Sequence, residues 1–203
     1  MSEREKIKLL FQEIQQGNRE AFNHLFTIYY WRMVAFAKQY TKQIESAEEI
    51  SSELFVKLWL KRVQLSNILN PEVYLYVSVK NACLNLIRSG KRQGIVVSED
   101  EINLEVGSTN YSHLEDKELV KLLDAVVSSL PEQRKIIFKL IKEDGLKASA
   151  VAQILGLSKR TVENQLYKAV KSLADELSNY LGYHPQGKAT KKNLPPALSI
   201  LFF

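Results

Sequence analysis

The chain of 203 residues has one cysteine, Cys83, so it cannot close an internal disulfide and suits a reducing cytoplasm. Its three histidines, His24, His113 and His184, stand far apart, with no paired cysteines and no His-Glu-x-x-His segment beside them. That scatter excludes the common zinc motifs, and the lack of a glycine-rich phosphate loop excludes the usual nucleotide-binding fingerprints. No cofactor, metal site, catalytic residue or enzymatic activity is expected. No run approaches the ~20 apolar residues of a bilayer span. Met1-Ser2-Glu3-Arg4-Glu5-Lys6 lacks the apolar core of a secretory leader. A soluble chain with no membrane insertion follows. Residues 1–92 also lack strand-like alternation, and the periodic segments elsewhere repeat at helical spacing, which gives an all-α fold class.

What is present begins with charge. The net charge is +5, which favours a polyanionic partner. It is unevenly spread: residues 1–92 hold 14 Lys and Arg against 9 Asp and Glu, whereas residues 93–118 hold 1 against 7. Residues 119–182 are basic again, with 10 against 7, and residues 183–203 add three lysines. Two basic helical domains, 1–92 and 119–182, are thus expected to flank an acidic flexible linker, 93–118, whose charge DNA would repel. The tail 183–203 combines Gly, Pro and Lys with a final Leu198-Ser199-Ile200-Leu201-Phe202-Phe203. It is too short for a bilayer span and is expected to be disordered rather than packed on the last domain or held by a regulator.

The segment from Leu146 to Leu166 has the spacing of two short helices meeting at a tight turn. Ala152 is small where the helices cross, Gly156 can take the positive φ of the turn, and Val162 fills the angle between them. Ser158 is placed to cap the second helix, and Val162, Leu166, Ala169, Val170 and Leu173 recur at helical steps as its buried stripe. The other side carries Lys159, Arg160, Thr161, Glu163, Asn164, Tyr167, Lys168 and Lys171. Cations and hydrogen-bonding groups of this kind suit phosphates and base edges, so the pattern predicts a DNA-binding helix-turn-helix. Arg160, Lys168 and Lys171 are the phosphate candidates, and Lys159, Glu163 and Asn164 the base-edge candidates.

In the N-terminal block, Phe22, Phe26, Tyr29, Met33, Phe36 and Tyr40 step by four and three and predict a core stripe. Tyr30 and Trp31 lie off it, free to meet a neighbouring helix. A second helix is predicted over 46–62, with Ser46 as its cap and Glu48 and Glu49 in its first turn. Ala47, Ile50, Leu54 and Leu58 form its inward side, yet Phe55, Val56, Trp59 and Leu60 spread apolar surface round the rest. Such a helix needs two partners. One is its own bundle; the other is either a second protein, facing Glu53, Phe55 and Trp59, or another internal surface. A third helix is predicted from Asn70-Pro71 to about Arg88. Tyr74, Ser78, Asn81, Asn85 and Arg88 share one of its faces, with Lys80, Lys91 and Arg92 beside it. That mixture suits single-stranded nucleic acid, or simply solvent.

Taken together, these stretches resemble a bacterial sigma factor of the extracytoplasmic-function type over most of residues 10–182. Ala47-Glu48-Glu49-Ile50-Ser51-Ser52-Glu53-Leu54-Phe55-Val56-Lys57-Leu58-Trp59 is similar to the family's polymerase-clamp helix, although the family usually has Val-Gln where this chain has Ser51-Ser52. The resemblance implies polymerase contacts at Glu48, Ser52, Glu53, Phe55, Val56 and Trp59. Tyr74 to Arg88 looks like the helix that reads the minus-ten promoter element. By that resemblance, Asn81 and the loop from Leu65 to Asn70 lie around a pocket for a flipped base. Leu130-Pro131-Glu132-Gln133-Arg134 resembles the entry to the family's last domain, whose helix-turn-helix reads the minus-thirty-five element. There the chain departs from many members. Lys147 and Ala150 replace a capping box, and Glu163 stands where a basic residue is common, implying a different base preference. The resemblance implies core RNA polymerase, promoter DNA as duplex and melted strand, and an anti-sigma factor as partners. The competing expectation is a helix-turn-helix regulator that binds DNA independently of polymerase.

Overall fold

A computed structural model describes residues 3–92 and 123–181. Among the described residues all regular structure is helical. The chain divides into two compact units, each treated by itself.

The first unit comprises α1 (Glu3–Gln15), α2 (Arg19–Thr41), α3 (Ile44–Leu60), a 3-10 helix (Arg62–Asn67) and α4 (Pro71–Arg92). Helix α1 ends at Gly17, whose φ of +87° lets the Asn18 N–H turn back to the Glu13 carbonyl at 3.1 Å. Asn18 then caps α2, its Oδ1 accepting from the N–H groups of Glu20 and Ala21 at 2.9 and 3.2 Å. The 23-residue α2 packs against α1, α3 and α4. Ile7, Phe11 and Ile14 from α1 join Leu25, Tyr29, Met33 and Ala37 from α2 in the core. Leu54, Phe55 and Leu58 of α3 and Leu75, Tyr76, Val79 and Cys83 of α4 complete it. Cys83 is buried and free.

Residues 123–181 contain helical residues 123–129 (α5), α6 (Glu132–Lys142), α7 (Ala148–Leu155) and α8 (Lys159–Leu181), and the second unit takes all of this stretch but Gln153–Gly156. Val126, Val127, Leu130, Phe138, Ala169 and Leu173 form a buried cluster, with Leu123, Leu166 and Val170 packed on it. Helix α8 therefore buries the stripe predicted for it. Burial of this kind is worth ~25 cal/mol per Å² of apolar surface removed from water.

Several sequence expectations are corrected. Helix α1 was not foreseen, although Ile7, Phe11 and Ile14 already stand at helical steps. Helix α3 starts at Ile44 after Gln43, which offers no side-chain cap. Ser46 is inside the helix, its hydroxyl donating to Gln43 Oε1 at 3.4 Å. The helix stops at Leu60, short of the expected residue 62, and Arg62–Asn67 winds as a 3-10 turn that overlaps the loop expected from Leu65 to Asn70. Helix α4 runs on to Arg92. The aromatic stripe is only partly core: Tyr29, Met33 and Phe36 are buried, Phe22 and Tyr40 half-buried, and Phe26 is 37% exposed. The linker 93–118 and the tail 183–203 lie outside the described residues.

Candidate functional site

The turn between α7 and α8 is built as its residue types require. Gly156 has φ +71°, and the Leu157 N–H donates to the Ala152 carbonyl at 2.9 Å, closing the end of α7. Ser158 Oγ accepts from the Thr161 N–H at 3.0 Å and pairs with the Thr161 hydroxyl at 2.8 Å, capping α8. Val162 is fully buried and Ala152 nearly so. With these fixed, α8 turns Lys159, Arg160, Glu163, Asn164, Tyr167, Lys168 and Lys171 to solvent, Tyr167 being 70% exposed; Thr161 is half-buried in the cap. Lys159 and Glu163 are 3.4 Å apart and well exposed, a pair worth little in water. Arg134 of α6 reaches Gln165 of α8 at 3.3 Å and ties the recognition helix to its support.

On α4 the predicted face divides. Asn81, Asn85 and Arg88 are exposed, whereas Ser78 and Lys80 are half-buried. Tyr74 is half-buried too, its ring edge-on to Phe11 at 6.4 Å. Asn70 is half-buried and its carbonyl accepts the Tyr74 N–H at 3.0 Å, starting the helix. Leu65 is 4% exposed and so supports the loop from inside instead of lining a pocket.

On α3, Ser52, Glu53 and Val56 are exposed, and Glu48 and Trp59 are half-buried. Phe55 is only 2% exposed, covered by Phe22, Phe26 and Tyr30. The expectation that Phe55 faces a partner is corrected on that ground. Glu53 is ion-paired with Lys57 one turn on. Two residues expected only in the core stripe, Phe22 and Phe26 of α2, join Ser52, Phe55, Val56, Trp59 and Leu60 of α3 in lining an apolar groove of about 320 Å³. Arg62 stacks over Trp59 at 4.9 Å from the ring centroid, and Tyr30, stacked on Phe26 at 4.7 Å, meets Ser52 at 3.4 Å. The missed signal was the i, i+4 pair Phe22 and Phe26, which follows the same spacing as the core residues. Groups of side chains able to hold a metal ion are absent among the described residues. No described helix is long and apolar enough to cross a membrane.

Comparison with known proteins agrees with this geometry. The Sigma-70 region 2 family model matches residues 25–93 and the Sigma-70, region 4 model residues 121–173. The chain is 23% identical over 186 residues to an ECF RNA polymerase sigma-E factor of Haemophilus influenzae, covering 87% of this chain and 98% of that one. It is equally similar to the sigma-E factor of Escherichia coli strain K12, with 97% of that protein covered. The solved structure of CnrH in complex with the cytosolic domain of CnrY shares the fold, with a TM-score of 0.54 at 17% identity over 86% of this chain and 98% of CnrH. The region 2 match takes in α3, α4 and all of the aromatic groove but Phe22, the region 4 match takes in the α7–α8 turn and α8 as far as Leu173, and the two matches together span more than half of the sequence. The chain therefore belongs to the sigma-70 family of RNA polymerase initiation factors, as a sigma factor of the extracytoplasmic-function type.

Proposed function

We propose a division of labour within this sigma factor: α3 and its apolar groove grip the clamp region of core polymerase, and α4 with the loop before it holds the melted minus-ten strand. The exposed side of α8 reads the duplex minus-thirty-five element. Directing polymerase to promoters is the family's non-enzymatic task; the residue assignments are the proposal. The observation that carries them is the two-sidedness of α8, which buries Val162, Ala169 and Leu173 while giving seven polar and charged side chains to solvent. Linking 1–92 to 119–182 through the acidic residues 93–118 raises the effective concentration of the second binding event once the first is made. The factor works in the cytoplasm. A protein regulator of the anti-sigma kind is the further partner, a reading supported by CnrH having been solved in complex with CnrY.

The test is reconstitution of the purified chain with sigma-free core polymerase on a promoter library, followed by mapping of start sites. New starts appear only when the chain is added. Val56→Glu, at a position 57% exposed, abolishes them without changing the melting temperature of the chain. Tight, selective DNA binding without polymerase, and no new starts with it, would overturn the proposal.

A further inference from the structure

Arg19 is the first residue of α2, where the positive end of the helix disfavours a cation. It is exposed, and among the described residues no carboxylate pairs with it. Asn18 already caps the helix, so the guanidinium adds nothing to the start of α2. It lines a hollow of about 270 Å³ with Phe22, Asn23 and Trp59. This hollow adjoins the apolar groove, with which it shares Phe22 and Trp59. A second cation borders the same indole ring. Arg62 lies 4.9 Å from the Trp59 centroid, its Nη1 donating to the Trp59 carbonyl at 3.0 Å and its Nε 4.0 Å from the place of a Cβ on Gly17. Those contacts hold it against the α1–α2 turn and leave other guanidinium N–H groups for a ligand. Along α3 and into the 3-10 helix the charges are sorted, Glu45, Glu48, Glu49 and Glu53 preceding Lys57, Lys61 and Arg62. The helix dipole accounts for that order on α3, but it opposes Arg19 on α2.

We propose that Arg19 and Arg62, beside Trp59, form a binding site for a carboxylate side chain, presented at the basic end of the groove by the segment of core polymerase seated there. Phe22 and Trp59 pack the carbon stem of such a side chain, the arginines take its charged end, and Asn23 adds an amide donor. A phosphate brings charge but no carbon stem for the two rings. The site fixes the direction in which the partner lies along the groove, because its acid must meet Arg19 and Arg62 and not the glutamates at the start of α3. This rests on the assignment of the groove to core polymerase.

Full-length Arg19→Ala, Arg19→Lys and Arg19→Glu are titrated with core polymerase at low and high salt, and their melting temperatures are measured. At low salt Arg19→Ala binds about fivefold more weakly, the factor for one charge pair at the rim of an interface. Arg19→Glu binds more weakly still, because it sets carboxylate against carboxylate. Arg19→Lys keeps the charge and most of the affinity. The differences shrink at high salt, where exposed charges are screened. Arg19→Glu melts no lower than the parent, since a carboxylate suits the start of a helix. Unchanged binding in Arg19→Glu, a loss that persists at high salt, or a loss matched by a lower melting temperature overturns the carboxylate site. Val56→Glu, in the groove itself, loses binding at every salt concentration. Its failure to do so, or failure of the unsubstituted chain to bind core polymerase, overturns the wider assignment and the site with it.

Discussion

Two residues of the first unit carry conformations or environments with measurable consequences. Lys42 ends α2 with φ 61°, the left-handed region, and its N–H reaches the Lys38 carbonyl at 3.1 Å. A side chain there is strained by its Cβ, and glycine is not. Lys42→Gly is therefore expected to raise stability by about 0.5–1 kcal/mol, read as a shift of the denaturation midpoint at unchanged slope. Cys83 is the second case. Burial pushes its thiol up from 9.0 to about 11, because the charged form is poorly solvated there. The folded chain thus holds this proton more tightly than the unfolded one. Its contribution to stability is complete below 9.0 and is lost as pH rises through about 11. Denaturation midpoints should fall over that window in the parent and fall less in Cys83→Ala; parallel profiles would contradict the assignment. The same burial predicts slow thiol alkylation at neutral pH until the unit unfolds.

Among the elements, the recognition helix was the most legible, because its punctuation is steric and local. Ser158, Gly156, Ala152 and Val162 each have one residue-sized task, and the structure gives each that task. Ser158→Ala removes the acceptor for the Thr161 N–H and should lower the stability of the chain by ~1 kcal/mol, with Ser158→Asp restoring it. Retention of full stability in the alanine variant would show that the cap is redundant. The first unit was read less well, for reasons that lie between elements. Phe22 and Phe26 share the spacing of Tyr29, Met33 and Phe36, yet they cover Phe55 and leave the core. Periodicity gives the angular position of a side chain on its helix but not which neighbour ends before reaching it. The inward side of α2 is instead completed by Leu25 and by Ala21 and Ala37, two small residues that permit close approach and carry no strong signal. Ser51 was a similar surprise. It is fully buried in α3 with its hydroxyl on the Ala47 carbonyl at 2.7 Å, a mid-helix bond that hides polarity inside an apolar contact.

At the scale of the whole molecule, the sign of the charge was legible and its use was not. A net charge of +5 is compatible with many polyanions, and only the placement of side chains on α8 motivates the proposed split between phosphate and base contacts. Lys168 and Lys171 are exposed, whereas Lys159 is engaged with Glu163. Each phosphate contact releases counterions, so log K falls with log salt by ~0.9 per contact on duplex DNA. With the full chain bound to core polymerase, Lys168→Ala and Lys171→Ala should each weaken all promoters alike and reduce that slope by ~0.9. Asn164→Ala should leave the slope unchanged and relax preference at one base pair, by about 1–3 kcal/mol of discrimination. Measuring binding of one promoter and its single-position variants across a salt series separates the two effects. An unchanged slope in both lysine variants, or a lowered slope in Asn164→Ala, would remove those residues from the roles given to them on the exposed side of α8.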